Sequence, residues 1–177
     1  MNICGVITDR EMPVCIITGR SFSDVGENEK HRELCVRFGY NSRFRAVCYV
    51  LTQQLLGKAR VLASMPPMKN IRGIGMSDGA WADICARKFD YVNTFLHREP
   101  TLDICDSSQA LSYKNLDFII STDVFEHIPP RPGLSAAFSN LYGMLRPGGT
   151  LIFSVPYSNH DHHREHYPDL YDYNVDM

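Results

Sequence analysis

Three ionisable residues crowd the stretch "DVFEHIPP" (123–130), where Asp123, Glu126 and His127 follow the apolar run "FIIS" and precede two prolines. A carboxylate beside a histidine is material for general acid–base chemistry, because histidine titrates near neutral pH and a neighbouring acid can orient or charge it. A second stretch, "GIGMSDG" (73–79), carries glycines that let the backbone approach a ligand, just before a helical pattern whose N-terminus favours an anion. It lacks the third glycine of the dinucleotide fingerprint, since Asp78 stands there and Gly79 follows. Glu99 lies 24 residues after Gly75, past the next strand-like run, where an acid commonly accepts hydrogen bonds from a ribose. Asp103 competes for that role. Taken singly, each stretch reads equally well as a plain turn or a capped helix, so the elements around them must decide.

Histidines and cysteines offer a metal reading that their spacing does not sustain. His160, His162, His163 and His166 cluster in "HDHHREH", without cysteine support, and read as a solvated segment after a strand. The six cysteines, Cys4, Cys15, Cys35, Cys48, Cys85 and Cys105, are scattered without paired spacing, and "MNICGVITDREM" has neither the basic start nor the apolar core of a signal peptide. Reduced thiols in a cytoplasm are the expectation, with no disulfide framework and no metal.

The elements that would position the ionisable groups alternate. Residues 1–40 suggest short strands and turns, such as "VCIITG". "SRFRAVCYVLTQQLLG" sets Phe44, Val47, Cys48, Leu51 and Leu55 on one helical face, with Ser42 as N-cap and Gly57 as stop. After the prolines of "LASMPPMKN" come a strand at "IRGIG" and a helix in "DGAWADICARKF", capped by Asp78, with Trp81, Ile84, Cys85 and Phe89 facing inward. Strands follow at "YVNTFL", "TLDI" and "LDFIISTD". A helix in "LSAAFSNLYGML" places Leu134, Phe138, Leu141 and Leu145 on one face, "RPGG" stops it, and "TLIFSVP" is a last buried strand. Strands alternating with helices predict an α/β, doubly wound, mostly parallel sheet, in which ligands sit outside the carboxyl ends of the strands. The polar groups of "STDVFEHIPP" are thereby delivered to the ligand crevice.

Composition narrows the partners. A chain of 177 residues, 44% hydrophobic, supports one main core. A formal net charge of -2 gives no broad basic face, which argues against nucleic acid held by its phosphates. No run approaches the roughly 18 apolar residues of a membrane span. Small-molecule partners are expected, with no nucleic acid and no membrane.

The order glycine loop, acid, "LDI", "FIISTDVFEHIPP" and "MLRPGGTLIFSVP" resembles a class I S-adenosylmethionine-dependent methyltransferase, of the methyltransferase type 11-like kind, over roughly residues 69 to 170. The resemblance implies a Rossmann-like sheet and S-adenosylmethionine as cofactor. Contacts to its methionine end would come from the glycine loop, to its ribose from the acid after the second strand, and to its adenine near "LDI". On this sequence the cofactor-binding residues would be Gly73, Gly75, Ser77, Asp78, Glu99, Asp103 and Ile104, with Asp123 beside the sulfonium. His127 would be the catalytic base and Tyr157 a positioning group, for methyl transfer to a small-molecule or sugar-like acceptor. An alternative register makes "ARVLASMP" the first strand and moves the ribose acid to Asp78; only Met68 and Lys69 separate "MPP" from "NIRG", which leaves no room for a first helix and favours the former register. A non-catalytic binding or assembly module on the same fold is the rival reading, motivated by the sparse glycine loop. A nicotinamide oxidoreductase is disfavoured by the missing glycine.

"CIITG" and "CVRFGYNSRFRAV" are similar to a zinc ribbon that precedes some of these enzymes, with Thr18 and Phe38 where each second cysteine would stand. Cys15 and Cys35, even with Cys4 or His31, read as a metal-free remnant. The expected organisation is thus a degenerate ribbon-like segment at 1–40, a helix and linker at 41–68, and a methyltransferase-like domain at 69–177. Only about 20 residues follow the fifth strand, too few for the antiparallel pair that usually closes this fold, so the expectation is truncation there, with either marginal stability or a homodimer covering the exposed edge.

Overall fold

The computed structural model describes residues 6–9, 12–21, 40, 42–79, 81–129 and 132–156. They divide into two compact units, one formed by Met1–Gly73 and Asp78–Val92, the other by Ile74–Ser77 and Asn93–Met177.

In the first unit β1 (Val6–Asp9) pairs antiparallel with β2 (Met12–Cys15), and the chain then turns through Ile16–Thr18 to Gly19, whose φ of 74° only glycine adopts readily. The turn is closed by the Gly19 N–H donating to the Cys15 carbonyl at 2.7 Å. Thr18 accepts from the Arg20 N–H through its hydroxyl at 3.3 Å. Helix α1 (Ser42–Leu56) buries the expected stripe of Val47, Cys48 and Leu51, while Phe44 and Leu55 stay half-buried; Gly57, at φ 72°, ends it. "ARVLASMP" carries a short 3-10 turn, Leu62–Ser64, rather than a strand. Helix α2 (Ala82–Lys88) begins four residues later than Asp78 and has no side-chain cap, so Asp78 does not cap it. The inward residues are as expected: Trp81, Ile84, Cys85 and Phe89 are all buried, and the Trp81 ring lies 5.9 Å from that of Phe44.

Four strands make the main sheet, which is mostly parallel: β3 (Met68–Met76), β4 (Phe89–Thr94), β5 (Leu116–Thr122) and β6 (Leu145–Ser154), in the order β4-β3-β5-β6. The Rossmann-like α/β class is as the alternating pattern implies. The "TLDI" strand is not formed. Only a single parallel bridge, Phe95 to Thr101, stands there, because the backbone turns back within five residues and Leu102 and Ile104 drop into the core instead.

The second unit closes around Ile74, Met76, Leu102, Ile104, Leu116, Ile119, Phe125, Leu141 and Met144, among others, and contains the short α3 (Ser107–Ala110) and α4 (Gly133–Met144). On α4 Leu141 is fully buried, but Phe138 is 43% exposed, its ring stacked on Phe125 at 4.7 Å rather than sunk in the core. "RPGG" is more than a helix stop. Leu145 already pairs with Leu116, and the next register pair, Phe118 with Thr150, leaves residues 146–149 looped out of the ladder. Arg146 pins the excursion to Asp117 at 2.6 Å. At Gly149 a Cβ would stand 2.8 Å from the Leu116 carbonyl oxygen, so the loop closes only without a side chain.

Candidate functional site

Within the second unit the polar groups gather where β3, β4, β5 and β6 end. Ser77, directly after β3, takes a left-handed backbone at φ 55° and donates its N–H to the Thr94 carbonyl at 2.7 Å. Thr94, fully buried at the end of β4, donates its hydroxyl to the Gly75 carbonyl at 2.8 Å, so the two strand ends are latched side by side. Gly75 itself is buried within β3.

The loop after β4 is built around Asp103. Its Oδ1 accepts from the Cys105 N–H at 2.8 Å, and its own N–H donates to Gln109 Oε1 at 2.8 Å. Gln109 donates in turn to Asp106 Oδ2 at 3.0 Å, and Asp106 Oδ1 accepts from the Ser108 N–H at 2.8 Å, capping α3. Hydrogen bonds from Ser108 hold the Asp106 carboxyl below its ordinary range. Asp106 and Gln109 escaped the sequence reading, although "DSSQ" has the spacing of a capping box. Asn140 of α4 fixes the same loop, its side chain donating to the Ile104 carbonyl at 2.9 Å. The Ile104 side chain is buried in the core. Glu99 is exposed and accepts from the Thr101 N–H at 3.0 Å. Burial, and then the Asp103 charge, push the Cys105 thiol up.

At the end of β5, Asp123 also adopts a left-handed backbone, φ 54°, with its N–H donating to the Ser154 carbonyl at 3.1 Å and its Oδ1 accepting from the Ser154 hydroxyl at 3.1 Å. A non-glycine residue held there is strained, and such strain collects at functional positions. A 3-10 turn, Phe125–His127, follows. It leaves the His127 side chain 63% exposed and that of Glu126 12% exposed, with His127 Nε2 4.0 Å from Glu126 Oε1. Two buried oxygens here have no hydrogen-bond partner: Ser121 Oγ on β5 and Glu126 Oε2.

The structure therefore places Gly75 in β3 and Ser77 directly after it, Asp123 and His127 after β5, and Glu99 and Asp103 on the loop after β4, all in one unit. Gly73 and Asp78 belong to the first unit, where Asp78 is buried and accepts from the Tyr91 hydroxyl. Tyr157, the four clustered histidines, Cys4, His31 and Cys35 lie outside the described residues. Among the described residues no group of three or more histidines, cysteines or acids is placed to hold a metal ion, and no helix is long and apolar enough to cross a membrane.

What the arrangement can do chemically is receive a polar, hydroxyl-bearing or positively charged ligand, since carboxylates predominate and two buried acceptors stand open. A family described as "Methyltransferase domain" matches residues 57–175, more than half of the chain. No curated protein and no solved structure matches.

Proposed function

Since the chain belongs to this methyltransferase-domain family, we propose that it transfers a methyl group from S-adenosylmethionine to a small-molecule or sugar-like acceptor. The observation that carries the proposal is the pair of left-handed residues, Ser77 and Asp123, each hydrogen-bonded through its N–H to a neighbouring strand end, with the Asp103 loop held in place by Gln109. The residues present fit the cofactor: exposed or half-buried carboxylates suit ribose hydroxyls, and the unpartnered Ser121 Oγ and Glu126 Oε2 mark where a polar ligand would be received. Gly75, Ser77, Glu99, Asp103, Ile104 and Asp123, all of the second unit, are the residues assigned to hold it.

When bound, S-adenosylmethionine supplies an activated methyl group for in-line displacement. The chain's own contribution is alignment, which can account for most of the acceleration when both reactants are held at attack distance. His127, exposed at the end of β5, takes the acceptor's proton where the acceptor is poorly ionised, and Tyr157 positions it. A reducing, cytoplasmic setting is part of the same proposal.

Calorimetry with S-adenosylhomocysteine tests the cofactor: binding is expected, and none at millimolar ligand would remove the proposal. His127→Ala should abolish turnover while leaving that affinity intact; weaker cofactor binding with turnover preserved at saturation would reassign His127. The sparse glycine loop favours a second reading, a non-catalytic binding or assembly module. Any measurable consumption of S-adenosylmethionine excludes it.

A further inference from the structure

Glu126 is the unusual acid of this unit. Asp123 and Asp103 each have a carboxylate oxygen engaged, by the Ser154 hydroxyl and by the Cys105 N–H. Glu126 has its Oε2 buried without a hydrogen-bond partner, and its Oε1 stands 4.0 Å from His127 Nε2, beyond hydrogen-bond reach. Its side chain is only 12% exposed. A carboxylate withdrawn from water and left short of donors is costly unless something positive or hydrogen-donating completes it. Among the described residues its one ion pair is with His127, and none of their lysines or arginines supplies that charge. Ser121, the penultimate residue of β5 and fully buried, is a second polar group without a partner on the strand that leads to the same turn.

We propose that Glu126 is the fixed counter-charge of the site, recognising a positively charged centre at the carboxyl end of β5. Resting on the methyl-transfer reading, that centre is the sulfonium of the donor. A buried negative charge there distinguishes the cationic donor from the neutral thioether left after transfer. The site therefore favours the charged ligand and releases the spent one, a discrimination that hydrogen bonds to the shared ribose and adenine cannot provide.

The test compares two ligands by calorimetry on the full chain: sinefungin, whose ammonium replaces the transferring methyl and its sulfonium, and neutral S-adenosylhomocysteine. In the wild type sinefungin should bind more tightly. Glu126→Gln, which keeps the shape and removes the charge, should weaken sinefungin by roughly tenfold and leave S-adenosylhomocysteine unchanged. Because the second ligand controls for folding, a parallel fall in both affinities overturns the inference, as does no change in either. Loss of the preference in Asp123→Asn but not in Glu126→Gln overturns it too, by moving the charge to Asp123. Should the wild type bind neither ligand, the methyl-transfer reading fails and takes this one with it; binding without any dependence on Glu126 removes this one alone.

Discussion

Tyr91 donates its hydroxyl to Asp78, both side chains being buried in the first unit. Removing the donor leaves a buried carboxylate short of a hydrogen bond, so Tyr91→Phe should lower stability by about 1–3 kcal/mol in urea unfolding. An unchanged midpoint would mean that the acid finds another donor at no loss. The pair also shows where residue-level reading stops. Asp78 stands in sequence where a helix cap belongs, yet its partner is 13 residues away and two elements on. Local spacing ranks caps well but is blind to a tyrosine that burial brings against the same carboxylate. Glu126 illustrates the same limit in reverse: "DVFEHIPP" advertised His127 as the reactive group, and only the 3-10 turn reveals which of the two neighbours is sheltered from water.

Among elements, the loop in β6 gives the sharpest expectation. Gly149→Ala drives a methyl group to 2.8 Å from the Leu116 carbonyl oxygen and 3.0 Å from that of Arg146, both backbone atoms that cannot swing aside. It should destabilise by about 1–3 kcal/mol, as overpacking does. Gly143→Ala, inside α4 with open space around the new Cβ, should instead stabilise by up to about 1 kcal/mol. Thermal melting of the two variants checks the contrast, and the same sign for both would contradict it. The helical stripes of α1 and α2 and the apolar run of β5 were legible because each buries several residues, whereas "TLIFSVP" forms its strand but not a buried one: in β6 only Ile152 is buried, and Phe153 is half-exposed. "TLDI" was not legible, since four residues carry too little periodicity to separate a strand from a loop that simply buries its leucine and isoleucine. The looped-out "RPGG" was read as a stop, because glycine and proline signal a break without saying whether pairing resumes across it.

For the whole molecule, pH is the sensitive variable on the alkaline side. Burial, followed by neighbouring negative groups, raises Cys48 and Cys85 above the ordinary thiol value of 9.0, and Tyr91 above 10.0. A group raised in the folded state stabilises fully below its unfolded value, and that stabilisation is lost as pH climbs toward the folded one. Melting temperature under reducing conditions should therefore hold to about pH 9 and fall beyond it, less steeply in the Cys48→Ala, Cys85→Ala double variant; a flat profile to about pH 11 would show that burial of these groups has been misjudged. All three groups sit in the first unit, and so does Trp81, the single tryptophan of the chain, fully buried with Phe44 beside it. The protein thus carries one tryptophan, and its emission, excited selectively at the red edge of the absorption where the tyrosines do not absorb, reports on one half of the fold. Intensity and colour of that emission track melting of the first unit, whereas far-ultraviolet dichroism sums both. If the two signals move together through a urea titration, the units unfold as one cooperative block. If the dichroism runs ahead of the fluorescence, the half bearing Asp103, Asp123 and Glu126 opens first, and a ligand bound there will delay the dichroic transition while leaving the optical one where it was.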